Sequence, residues 1–132
     1  MRSTWIPRKI GTTPGNLAER ACVLRELNEE MHIPESALEN LRLRYVTLRL
    51  NKGEIRQNYY FFADLKRGTN VRLLCDEGKP EWVAYDEIME RKMPYTAQYV
   101  LSHYLETGKN TTCVYCGIAT KNAVNFIMME EF

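Results

Sequence analysis

Three glutamates, Glu26, Glu29 and Glu30, stand at the spacing i, i+3, i+4. On an α-helix these positions are neighbours, so their carboxylates converge on one patch of surface. Like charges at that spacing repel unless water or a cation lies between them. Hard carboxylate oxygens suit Mg²⁺ or Mn²⁺, which keep part of their water shell and engage substrate phosphates. The same spacing also describes an ordinary solvated acidic face, and charge alone does not separate the two readings.

The element that must carry these residues is a helix over 17–31. Asn16 is a suitable N-cap and Glu19 follows at capping-box spacing. Pro34 stops the helix, because it has no N–H and restricts the residue before it. At about 100° per residue, Leu17, Ala21, Leu24, Leu27 and Met31 gather on one side. Glu19, Glu26 and Glu30 gather on the opposite side, with Glu29 at its margin.

Around this helix the sequence predicts further elements. Residues 1–16, rich in Gly, Pro and Thr, read as an irregular lead-in with Trp5 as its one large anchor. Residues 34–41 read as a short helical turn. Strands follow over 42–50 and 54–65, joined by a hairpin turn at Asn51-Lys52-Gly53. Tyr59, Tyr60, Phe61 and Phe62 make the second strand aromatic and central, with half of them in the core because strand side chains alternate faces. A short strand over 71–74, a loop over 75–80 and a strand over 81–85 holding a core Trp82 come next. Residues 86–90 start a short helix. Pro94 opens a second long helix to about residue 107, with Ala97, Val100, Leu101, Tyr104 and Leu105 as its apolar stripe and Gly108 at its end. Strands over 113–119 and 123–129 close the chain. This order implies an α+β fold with a mixed sheet and helices against its faces.

Composition bounds the function. The chain has 132 residues, which fits one domain, and 45% are hydrophobic, enough for a core. Net charge is +1 from 18 basic and 17 acidic side chains. That balance argues against a protein that coats nucleic acid polymers, which needs a basic excess. No apolar run approaches the roughly 20 residues of a membrane helix, and no secretory signal opens the chain. The four cysteines, Cys22, Cys75, Cys113 and Cys116, include one CxxC pair. A zinc site needs further ligands at matching spacing, which His32 and His103 do not offer. The cysteines read as ordinary thiols of a cytoplasmic protein.

The string Arg25-Glu26-Leu27-Asn28-Glu29-Glu30 resembles the R-E-U-x-E-E core of the Nudix box, in which U is a bulky aliphatic residue. Pro14-Gly15 resembles the P-G before the family's helix. Ala21-Cys22-Val23-Leu24 matches the small and apolar run before the Arg, and Ile33 fits the closing aliphatic position. The likeness continues through two aromatic-rich strands and an acidic-Gly loop, Glu77-Gly78-Lys79-Pro80-Glu81-Trp82. It also takes in Met93-Pro94-Tyr95-Thr96-Ala97, which is similar to the last-helix start of bacterial members. It covers the chain from about Trp5 to Leu105.

Nudix hydrolases cleave nucleoside diphosphates linked to another group. The resemblance implies a single Nudix-like domain over 1–132, an α/β/α sandwich, and a small nucleotide-like substrate. It implies Mg²⁺, with Mn²⁺ as an alternative, held by Glu26, Glu29 and Glu30. Arg25 would orient a glutamate through a charge-assisted hydrogen bond. Glu77 is the candidate for a further metal ligand or general base, followed by Glu81.

Three departures stand beside the match. The box's first glutamate falls on Leu17 or, with Pro14-Gly15 aligned, on Asn16. The Gly after Glu-Glu-x is His32, which must then take a left-handed conformation. The box also begins close to the first residue, so the expected sheet lacks N-terminal strands and the chain is read as truncated or divergent. Strands over 113–129, or a second copy in a homodimer, would then cover the exposed edge. These departures support an alternative function, a Nudix-fold protein that binds a ligand or partner without effective catalysis. Arg42, Arg44, Arg49 and Arg56 lie on strands, with Arg42 and Arg44 sharing a face. Arg forks suit phosphate, but a solvated sheet face is the favoured reading for them. The Glu130-Glu131 doublet reads as solvated charge.

Overall fold

A computed structural model of the chain describes residues 3–10, 16–66, 84 and 86–132, with the backbone alone for 3–10, 16–19, 30 and 31. The elements are β1 (Ser3–Ile10), α1 (Asn16–Met31), β2 (Leu38–Asn51), β3 (Glu54–Leu65), α2 (Tyr95–Glu106), β4 (Tyr115–Ala119) and β5 (Val124–Met128). One-turn 3-10 helices occupy Glu35–Ala37, Ile88–Glu90 and Gly108–Asn110. The strands form one sheet in the order β1-β3-β2-β4-β5. Among the described strands only β2 and β4 pair in parallel, with Tyr45 opposite Tyr115, so the sheet is mixed. The α+β class and mixed sheet expected from the sequence are present. The tail strands join the sheet alongside β2. The strands expected over 71–74 and 81–85, and Trp82, lie outside the described residues.

The irregular lead-in expected over 1–16 is corrected at its start. Ser3–Ile10 is a strand that pairs antiparallel with β3, from Ser3 opposite Asp64 to Ile10 opposite Gln57. It stands at the sheet edge, where Pro7 and the charged Arg8 and Lys9 are tolerated. Those residues are what hid it, since they break the alternation that marks a half-buried strand.

The β2–β3 hairpin turns on two residues. Asn51 pairs with Glu54, and Lys52 and Gly53 have φ of 52° and 77°. Positive φ at both central positions matches the twist of the flanking strands, and Gly53 takes it without a Cβ penalty. β2 also starts earlier than expected and carries two register shifts, between Glu39 and Arg42 and between Leu43 and Tyr45. The first accommodates Asn40 in a left-handed conformation, φ 54°. The second inserts Arg44 as an extra residue. As a result Leu43 and Tyr45 pack on opposite sides of the sheet despite their even spacing.

Helices cover both faces of the sheet. On one side Tyr45, Tyr60 and Phe62 pack with Ala97, Val100, Leu101 and Tyr104 of α2. On the other, Phe61 and Ala63 pack with Val23 and Leu27 of α1, with Ile33, Ala37 and Leu38. The α2 stripe therefore lies where periodicity put it, and Leu105 is half-buried beside it. The aromatic run contributes more than half of its members to the core. Tyr60, Phe61 and Phe62 are buried and Tyr59 is half-buried, because both faces of β3 are covered along this run.

Two readings are corrected by this packing. The buried face of α1 centres on Val23 and Leu27, with Leu24 half-buried and Ala21 exposed. The sheet takes the larger β-branched Val23 in preference to Ala21, which rotates the helix toward Glu26 and leaves that residue half-buried beside the core face. Arg44 is not on a solvated sheet face but is 2% exposed. Its Nη2 donates to Gly108 O at 2.6 Å and to Thr111 Oγ1 at 3.3 Å, and its Nε donates to Cys113 O at 2.9 Å. The guanidinium also lies 5.9 Å from the centre of the Tyr104 ring. It ties the segment between α2 and β4 to the centre of the sheet.

Beside Arg44, the Tyr45 ring contacts Phe62, His103, Tyr115 and Phe126. Its hydroxyl lies 2.7 Å from His103 Nδ1. Burial holds the Tyr45 phenol well above its usual range, so the hydroxyl keeps its proton. Burial also lowers the pKa of His103, with Glu106 opposing and Arg44 adding to the shift. In the unfolded chain this His takes a proton near pH ~6.5; in the folded protein it does so only at lower pH. Its contribution to stability is thus present above the unfolded value and lost as pH falls toward the folded one. Urea midpoints should decline with a smaller slope between about pH 7 and 5 in His103→Gln than in the parent. Equal slopes would remove His103 from the acid response.

Candidate metal centre

The candidate centre is built on the second half of α1. The helix ends as the sequence requires. His32 is left-handed, φ 56°, and the Ile33 N–H returns to Leu27 O at 3.1 Å. Ile33, 1% exposed, then enters the core beside Leu27. This reversal fixes the last turn, which contains Glu29 and Glu30 and has no basic residue. Carboxylates there sit at the negative pole of the helix dipole, an unfavourable place for anions.

Within this frame Glu26 is half-buried and Glu29, three residues on, is exposed. Glu30 belongs to the same turn, and its side chain is outside the described atoms, as are Glu77 and Glu81 entirely. Among the described residues no three His, Cys, Asp or Glu side chains come together as a metal site. The described part thus supplies a pair of carboxylates at helical spacing. Mg²⁺ is commonly held by one or two carboxylates, substrate phosphates and water. Arg25 is exposed, and its Nη2 lies 3.5 Å from Cys22 Sγ. Arg20 reaches Glu35 at 3.5 Å across the surface.

On the same side of the sheet lies an open groove of about 830 Å³. Leu43, Val46 and Tyr59 line it from β2 and β3, and Cys116 and Met129 from the tail strands. Leu43 and Tyr59 also pack against the α1 cluster, so the groove begins where the helix cover ends. Tyr59 donates to Gln57 Oε1 at 3.3 Å. Glu130 and Glu131, read as solvated charge, are exposed at the groove's rim. Burial pushes the Cys116 thiol up, away from thiolate chemistry. Among the described residues, Cys22, Cys113 and Cys116 form no disulfide.

The strand arginines do not act as one group. Arg44 is structural, and Arg42 donates to Asn40 O at 2.8 Å and caps its own bulge. Arg49 and Arg56 face each other near the hairpin, on the α2 side of the sheet. Sequence reasoning missed the groove and the buried Arg44, because both depend on the bulge in β2, which no local pattern marks. No helix among the described residues is long and apolar enough to cross a membrane. The chain matches no protein-family model, no curated protein and no solved structure.

Proposed function

We propose that the chain is a Nudix-type hydrolase that cleaves a phosphoanhydride in a nucleoside diphosphate linked to another group, with Mg²⁺ at α1. The observation that carries this reading is the position of Glu26 and Glu29. They lie on one helix, toward its negative pole, on the sheet side that also holds an open groove. A cation between them relieves both the mutual repulsion and the conflict with the dipole. Glu26, Glu29 and Glu30 would hold Mg²⁺, which when bound neutralises non-bridging phosphate oxygens and acidifies a water. The half-buried Glu26, beside the core face, is the more rigid anchor. Exposed Glu29 is free to reach both a cation and a water. Tyr59, half-buried beside the groove, offers an aromatic surface against which a base can pack.

A second reading, a ligand-binding protein without effective catalysis, is favoured by Leu17 and Asn16 at the position of the box's first carboxylate. Release of phosphate or nucleoside monophosphate from a panel of diphosphate-linked nucleotides, with Mg²⁺ and with EDTA, separates the two. Hydrolysis that requires Mg²⁺ supports the enzyme. Absence of turnover across the panel, with Mg²⁺ saturating, overturns it in favour of the binding protein.

A further inference from the structure

A pocket of about 340 Å³ lies on the other side of the sheet, between the β2–β3 hairpin and the first turn of α2. Its floor alternates along two strands: Arg49 and Asn51 from β2, Arg56, Asn58 and Tyr60 from β3. Arg49 and Arg56 are direct cross-strand partners. Like charges placed so are destabilising unless an anion lies between them. Arg56 Nη2 is paired with Glu54 Oε2 at 3.0 Å, but its Nε is buried and has no hydrogen-bond acceptor among the described residues. The Arg56 side chain is 42% exposed overall, so it is this one shielded N–H that calls for a partner. Arg49 is exposed and makes no ion pair with the described residues.

The wall opposite the arginines is the start of α2. Pro94 precedes it and provides no side-chain cap, and the first intrahelical bond there runs from Gln98 N to Pro94 O. The amides of Tyr95, Thr96 and Ala97 therefore stand free of the helix ladder beside the pocket. This wall is held in place: Tyr60 Oη meets Thr96 Oγ1 at 2.9 Å, and Tyr95 Oη donates to Thr120 O at 3.1 Å. Lys121 adds a third cation in the adjoining depression that shares Arg49 and Tyr95.

We propose that this pocket binds the phosphate group of a small phosphorylated molecule. The Arg56 Nε–H and the Arg49 fork supply charge-assisted donors with the planar geometry that phosphate oxygens accept. The free amides of α2 supply further donors at the positive pole of the helix. The volume exceeds that of a bare ion and leaves room for a sugar-sized body against Asn51 and Asn58. The site needs no metal and lies across the sheet from Glu26 and Glu29, so it stands independently of the hydrolase reading.

The test is a titration of the full chain, in EDTA, with inorganic phosphate and with ribose 5-phosphate, followed by ¹H–¹⁵N NMR. The Tyr95, Thr96 and Ala97 amides and the Arg56 Nε–H should shift together, with ribose 5-phosphate binding more tightly. Arg56→Gln and Arg49→Gln should each weaken binding about 10- to 100-fold, the loss expected for one charge-assisted hydrogen-bond partner. Arg56→Lys should restore part of it. The α1 and β5 resonances report that each variant is folded. Saturating phosphate that leaves the three amides unmoved overturns the site. So does a folded Arg56→Gln protein that binds as tightly as the parent.

Discussion

Glu29→Gln is expected to lower Mg²⁺-dependent turnover by about 100-fold or more, since loss of groups that only support a metal ligand already costs 10–100-fold. The substitution keeps size and hydrogen-bonding capacity but removes the charge that a cation needs. Glu29 is exposed, so the fold does not depend on it. Removing one of two like charges from a last turn that lacks a basic residue should in fact make the metal-free protein slightly more stable. The two effects run in opposite directions, which makes the experiment decisive. Mg²⁺ should raise the melting temperature of the parent through binding to the folded state alone, and raise that of Glu29→Gln less. Turnover and Mg²⁺ response both unchanged in Glu29→Gln would show that the acidic patch is merely solvated.

Arg44→Met should destabilise the protein by about 3 kcal/mol, the loss of several hydrogen bonds from a charged donor together with a stranded carbonyl. Replacing a buried ionic group by an apolar one is often harmless when both partners are replaced. Here two of the three acceptors, Gly108 O and Cys113 O, are main-chain oxygens and cannot be replaced. Gly108 O still accepts from the Thr111 backbone N–H at 3.1 Å, but Cys113 O loses its bond from Arg44. Arg44→Lys should be intermediate, because an ammonium keeps the charge but lacks the fork that reaches both carbonyls. Urea denaturation with a common slope measures this directly. A midpoint unchanged in Arg44→Met would mean that the buried guanidinium contributes no net stability.

The contrast between these two residues shows what the sequence made legible. The helix bearing Glu26 and Glu29 was readable because its cap, apolar spacing and stop lie within about 20 residues of one another. The same holds for α2, the β2–β3 hairpin and the two tail strands, each announced by its own periodicity or turn chemistry. What was not readable depends on pairing. β1 becomes a strand because β3 offers it an edge, not because Trp5-Ile6-Pro7-Arg8-Lys9 alternates. Arg44 becomes buried because the strands slip by one residue there, which no local pattern in β2 reveals. The rotation of α1 toward Val23 depends on the sheet surface beneath it. The left-handed His32 could be anticipated, since the Nudix-like pattern places a glycine there. The Arg49–Arg56 pocket needed the register of β2 against β3 and the position of α2 over it.

The parallel pairing of β2 with β4 sets the order in which the molecule can assemble. Tyr45 finds Tyr115 opposite it, and Arg44 finds acceptors at Gly108, Thr111 and Cys113. All of these partners are translated after everything in α1 and the hairpin. During synthesis the hairpin can form early from local contacts, but its Arg44 then has none of these acceptors. The parallel rung must wait for residues about 70 positions apart, such as Tyr45 and Tyr115, to meet, which slows folding. A nascent chain paused before β4 would thus present an unfinished sheet edge and a cation meant for the interior. That stage is the one at which a chaperone holding the ribosome-bound chain would matter most.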